Sequence, residues 1–232
     1  EQLIDHSAKY LEGDFPNIPL QIALFYFRQE KDKKAAEILT NFFKKYQKNW
    51  FYPYYISIAY TNLENYPKAL KFIEEAEKID KNNVEIITHK AYIYDLVDMI
   101  NESDSLYIRA LELDPTNPMA NNNFAYSLAS RNKDLKKAQT MVQIAMEYDS
   151  LNSAYLDTFG YIKYKMGEYR IALKYIKKAV ENDNASAEVY ENLGDVYLKL
   201  SEFENAADAF RKSLEIEPGR SSAFEKLKQI ED

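Results

Sequence analysis

The chain contains few side chains suited to catalysis or metal binding. Its two histidines, His6 and His89, lie far apart in sequence. Glu85 and His89 are four residues apart, a spacing that puts a carboxylate and an imidazole on one face of a helix. A metal site needs further ligands at matching spacing, and no neighbouring Cys or second His supplies one. The pair therefore reads as a surface pair. Cysteine is absent, which removes thiolate ligands, disulfides and cysteine nucleophiles. Acidic doublets such as Glu74-Glu75 read as the solvated exterior of a helix. There is no glycine-rich phosphate loop, and Gly160 and Gly194 are better explained by close helix packing. The residues thus assign no catalytic, metal or cofactor-binding position, and the chain reads as no enzyme and as needing no cofactor.

The remaining chemistry is recognition, and helices must position it. Of 232 residues, 46% are hydrophobic and 29% charged, with five Gly and seven Pro, a balance that favours ordered helices with short turns. Twenty Tyr and twelve Phe are unusual in so charged a chain; tyrosine suits half-buried and partner-touching positions. The net charge of −7 opposes nucleic acid, which binds through cations on phosphates. The densest aromatic run, Trp50 to Tyr60, is interrupted by Pro53 and is too short to span a bilayer. The sequence opens at Glu1 without Met or a charged-then-apolar leader, which reads as a processed chain or part of a longer one.

Sliding the sequence against itself reveals a period. Small residues recur at Ala23, Ser57, Ala91, Ala125, Gly160 and Gly194, spaced 34, 34, 34, 35 and 34. A second series runs Ala35, Ala69, Ser103, Ala138, Ala172 and Ala206, with an extra residue near Asn132 accounting for the longer interval; a third runs Ala76, Ala110, Ala145, Ala179 and Ser213, broken by Phe42. Helices approach to about 8–9 Å only where the facing side chains are small. The first two series close a helical hairpin, and the third presses one hairpin on the next. Tyr26, Tyr60, Tyr94 and Tyr197 follow the first series by three residues and read mostly as core. Asp114-Pro115 and Glu217-Pro218 stop second helices, and Gly167, Glu64-Asn65 and Ser201-Glu202 mark turns inside hairpins. The period predicts six units, 16–49, 50–83, 84–117, 118–152, 153–186 and 187–220. Residues 1–15 read as a helix from a preceding partial repeat. Residues 221–232 read as a capping helix with Phe224, Leu227 and Ile230 on one face.

The pattern resembles the tetratricopeptide repeat (TPR). The last unit carries it nearly whole in Tyr190, Leu193, Gly194, Tyr197, Ala206, Phe210 and Pro218, and the stretch from Tyr155 to Tyr161 is similar to one common in bacterial members. Phe42 and Lys90 depart from it. The resemblance implies an all-α fold, a right-handed α-solenoid or superhelix of antiparallel hairpins. It also implies a concave wall built from first-helix residues around the small position. Here that wall includes Tyr54, Tyr92, Asn122, Tyr126, Asp157, Tyr161, Tyr164, Glu191 and Asp195, with Asn123 beside them. Asn122 and Asn123 can hold the backbone of an extended peptide while tyrosines grip its side chains. The acids at the far end favour a basic segment. Family members that bind chaperone tails clamp a carboxylate with Lys, Asn and Arg. The corresponding places here hold Leu20 and Leu24, Tyr54 and Ile58, Thr88 and Tyr92, Asn122 and Tyr126, and no basic clamp exists.

Two functions fit: a protein- or peptide-binding scaffold or adaptor, and a structural module that homodimerises or sits beside another domain. Asn, Lys and Tyr enrichment points to an AT-rich bacterial genome, and both a cytoplasmic and an exported location fit.

Overall fold

The computed structural model describes residues 17–181 and 185–231; the expected helix over residues 1–15 lies outside them. Among the described residues there are thirteen helices and no strand. The chain divides after Asp114 into two units. Unit one holds α1 (Asn17–Phe27), α2 (Asp32–Phe43), α3 (Phe51–Asn62), α4 (Tyr66–Ile79), α5 (Val84–Leu96) and α6 (Ile100–Leu113). Unit two holds α7 (Pro118–Ser130), α8 (Leu135–Tyr148), α9 (Ser153–Lys165), α10 (Tyr169–Val180), α11 (Ala187–Lys199), α12 (Phe203–Ile216) and α13 (Ser221–Glu231). Odd and even helices pair as antiparallel hairpins, three in each unit, and α13 packs on α12.

The small residues explain the pairing. Every described member of the three series is buried, and at two of them even a methyl group is excluded. A Cβ on Gly160 would stand 2.4 Å from Ile176 Cγ1, and one on Gly194 would stand 2.5 Å from Phe210 Cε1. At two of the three serine positions the hydroxyl finds a carbonyl across the hairpin, whereas the Ser103 hydroxyl is buried without a partner. Ser57 donates to Ala69 O (2.8 Å) and Ser213 to Ala187 O (2.7 Å), so the buried polar group is satisfied.

Each hairpin turns in the same way. The amide N–H groups of Lys31, Asn65 and Met99 in unit one donate to the carbonyls of Tyr26, Tyr60 and Tyr94 at 2.8–3.0 Å. In unit two those of Lys133, Glu168 and Glu202 donate to Leu128, Lys163 and Tyr197 at 2.8–2.9 Å. These are bonds of the Schellman type, which end a helix by turning one residue left-handed. That residue is Glu30, Glu64, Asp98, Asn132, Gly167 and Ser201 in turn, with φ between 54° and 80°. Only one is glycine. The extra residue near Asn132 is absorbed by a second left-handed turn at Asp134 (φ 46°). Asn83, Asn117 and Asn152 then start α5, α7 and α9, each side-chain oxygen accepting amide hydrogens of the first turn.

Three details differ from the sequence-based expectation. Tyr26 is fully buried, but Tyr60, Tyr94 and Tyr197 are only half-buried, because their long rings reach past the hairpin; Tyr60 stacks on Phe72 at 5.7 Å. On α13, Ala223, Leu227 and Ile230 meet α12, whereas Phe224 is exposed, its position being rotated away from that contact. Lys90, out of place in an apolar position, bonds Glu77 at 2.7 Å, which also takes a bond from Arg109 at 3.2 Å. Burial opposes the charge on Glu77, but these two cations outweigh it and hold its carboxyl below its usual range.

Candidate binding face of unit two

First helices lie beside first helices in unit two, α7 against α9 and α9 against α11. Equivalent positions of successive hairpins therefore become neighbours. Asn122, Asp157 and Glu191 occupy one such row, three residues before the small position; Tyr126, Tyr161 and Asp195 occupy another, one residue after it. The tyrosines form a continuous stack. The rings of Tyr126 and Tyr161 are 5.4 Å apart at 29°, and those of Tyr161 and Tyr164 are 6.3 Å apart at 18°.

The acids next to this stack have different surroundings. Tyr126 donates its hydroxyl hydrogen to Glu188 Oε1. Burial, reinforced by that carboxylate, pushes the Tyr126 hydroxyl far above its ordinary range, and Tyr161 is pushed up to about 12 for the same reasons. Asp157 is buried, with both carboxyl oxygens accepting from Asn192 Nδ2 at 3.1 and 3.2 Å. Burial lifts its carboxyl to about 7, the Asn192 bonds opposing and nearby Glu188 adding to the rise. Glu191 instead accepts from Lys226 at 2.8 Å and from Arg220 Nε, and Asp195 accepts from Lys226 at 2.7 Å. These two acids are neutralised within the unit. The cations sit on α13 and just before it. Neither Glu188 nor Asp157 has a cationic partner among the described residues.

Asn122 is the other notable member. Its amide donates to Asn123 Oδ1 at 3.3 Å, but its own Oδ1 is buried without a hydrogen-bond partner. An unmade buried acceptor costs about 1–3 kcal/mol, so this oxygen is suited to an incoming N–H.

The other two predicted residues belong to unit one. Tyr54 on α3 is buried, edge-on to Trp50 (5.7 Å) and His89 (5.6 Å), and burial raises its hydroxyl well above its usual range. Tyr92 on α5 is exposed, 6.3 Å from His89. His89 itself is not the surface residue its spacing suggested. The packing of α3 on α5 buries it, with Nε2 3.4 Å from Thr61 Oγ1. Burial lowers its pKa to about 4, a backbone hydrogen bond at Ser57 opposing. Glu85, one helical turn before His89, stays exposed. Among the described residues no three His, Cys, Asp or Glu side chains converge as metal ligands, and no described helix is long and apolar enough to cross a membrane.

Two models of the tetratricopeptide repeat match the sequence, one over residues 106–140 and one over 158–221. The second spans the α9–α10 and α11–α12 hairpins that carry Gly160 and Gly194. The chain belongs to the tetratricopeptide-repeat family. Its fold class is accordingly the all-α TPR solenoid, and solved TPR structures agree. A tetratricopeptide repeat protein from Parabacteroides merdae aligns with a TM-score of 0.74 at 16% identity, covering 99% of this chain and 90% of that one. PilW, a widely conserved type IV pilus biogenesis factor, aligns at 0.70 and 19% identity, covering 95% and 100%. YrrB, a TPR protein with an unusual peptide-binding site, aligns at 0.50 and 20% identity, covering 83% and 99%. At these identities the likeness is one of fold. No curated protein matches the sequence.

The TPR pattern thus reaches Asn122, Asp157, Tyr126 and Tyr161 by register alone. Asn192, Arg220 and Lys226 were missed as members of the site. Asn192 was legible in principle, being one residue after Glu191; the two cations come from outside the repeat and carry no periodic signal.

Proposed function

We propose that the chain is a non-catalytic scaffold whose α7–α9–α11 face holds an extended segment of a protein partner. A lysine or arginine of that segment would meet Glu188. TPR proteins in general are protein-interaction scaffolds, and one structural neighbour, YrrB, has a peptide-binding site. The observation that carries the reading is Asn122, a buried acceptor without a partner at one end of three stacked tyrosines. Asparagine offers a donor and an acceptor to a peptide backbone, and tyrosine gives large contact area for little entropy. The cation preference rests on Glu188, an acid that Arg220 and Lys226 leave without a cation; Asp157, whose carboxyl burial lifts to about 7, adds little. Glu191 and Asp195 contribute little to it, because their charge is already matched.

Selection of random displayed peptides on the intact chain tests the reading. Peptides rich in Lys or Arg should be enriched and should lose binding to Asn122→Ala/Tyr126→Ala. Selected peptides that bind this variant as well as the parent would remove the face from consideration. Light scattering covers the alternative of a structural module: a monomer independent of concentration is expected, and a tight dimer would replace the scaffold reading.

A further inference from the structure

Unit two carries a second surface on the opposite kind of helix. Along α10, Arg170, Lys174, Lys177 and Lys178 fall at i, i+4, i+7 and i+8, a spacing that aligns them on one helical face. All four are exposed, and none pairs with a carboxylate among the described residues. Lys174 and Lys178 instead lie over the ring of Tyr175, at 5.8 and 6.0 Å. Ile171, 41% exposed, sits within the same stripe. Lys136, also exposed, takes in the preceding hairpin the place of Arg170, two residues before the small position. Two of the other second helices pair their charges internally. Helix α12 pairs Arg211 with Asp208 and Lys212 with Glu215, and α4 pairs Lys78 with Glu75. Helix α10 has no acid from Tyr169 to Val180; Glu181 borders it and makes no ion pair with Lys177 or Lys178.

We propose that this stripe docks an acidic segment of a protein partner, independently of the α7–α9–α11 face. The stripe covers about 12 Å along the helix at 1.5 Å per residue, which matches carboxylates on two to three turns of a partner helix with an apolar side chain over Ile171. Charge complementarity of this kind sets partner choice and association rate. A broad polyanion fits less well. In the next hairpin, Glu204 and Asp208 take the places of Arg170 and Lys174, and the whole chain carries −7; a membrane or nucleic-acid surface large enough to cover α10 would be repelled by its surroundings.

The probe is a fluorescein-labelled helical peptide with glutamates and one leucine on a single face, read by anisotropy, beside its lysine counterpart. The acidic peptide should bind the parent chain and weaken by about tenfold or more on Lys174→Glu/Lys177→Glu, and again as salt rises. The lysine peptide should prefer the reversed variant. Both residues are exposed, and circular dichroism verifies the fold. Asn122→Ala/Tyr126→Ala should bind the acidic peptide like the parent, which separates this surface from the face of α7, α9 and α11. Absence of acidic-peptide binding, binding unchanged by the reversal, or loss of binding in the Asn122/Tyr126 variant each overturns the proposal. So does a Lys174- and Lys177-dependent interaction confined to phosphatidylserine vesicles or duplex DNA.

Discussion

Replacing Gly194 by alanine adds one methyl group where α11 crosses α12. The new Cβ would stand 2.5, 2.7 and 2.7 Å from Phe210 Cε1, Cδ1 and Cζ. The Phe210 ring is fully buried, with Ala206, Ala223, Leu198, Leu214 and Leu227 in the same cluster, so it has no free space to move into. Overpacking a filled core costs about 1–3 kcal/mol, and a rigid ring places this site in the upper half of that range. Alanine's helix preference returns about 1 kcal/mol. The net is a destabilisation of about 1–2 kcal/mol, seen as a lower urea midpoint at unchanged slope in far-ultraviolet circular dichroism. Adding Phe210→Leu should recover more than additivity allows, because both changes act on one contact. Gly160→Ala should cost at least as much, since its Cβ would meet Cγ1 of the fully buried, β-branched Ile176 at 2.4 Å and Ala172 O at 3.2 Å. A Gly194→Ala chain as stable as the parent would refute the claim that small residues set the hairpin spacing.

Other outcomes follow from the turns and the buried titratable groups. Ser201, held at φ 61°, should give about 0.5–1 kcal/mol of added stability on Ser201→Gly, and Gly167→Ala should cost a similar amount, both read by thermal melting. Asp157, with its pKa lifted to about 7, keeps a proton in the folded chain that the unfolded chain has released. Stability should therefore fall as pH rises from about 4 to 7 and level off above. Asp157→Asn should flatten that slope and stabilise the chain at pH 8 by a few kcal/mol at most. His89 acts with the opposite sign. Its folded pKa of about 4 lies below the ordinary 6.5, so stability should be lost as pH falls through that window. His89→Phe should abolish this loss in urea titrations across the same pH range.

Most of the hairpin architecture was legible because it depends on side-chain size at a fixed period. Ala23 to Gly194, Ala35 to Ala206 and Ala76 to Ser213 needed no knowledge of angles. The turns were less legible. Among the described residues six of the seven left-handed positions hold Glu, Asp, Asn or Ser, which take up that conformation because the closing hairpin imposes it. Burial decided across hairpins was also hidden. His89 looked like a surface residue on its own helix, and only the packing of α3 on α5 encloses it. In the candidate face, register alone brought Asn122, Asp157, Tyr126 and Tyr161 together. The acidic end was misjudged in charge, because Arg220 and Lys226 reach Glu191 and Asp195 from a helix outside the repeat.

Photo-cross-linking tests the central claim most directly. A benzophenone amino acid placed at Tyr164, at the end of the tyrosine stack, should form adducts with a peptide selected on the intact chain. The same group at Tyr148, 78% exposed and outside the stack, should form almost none. Equal yields at the two positions, or adducts at Tyr148 alone, would contradict the assignment of partner binding to α7, α9 and α11.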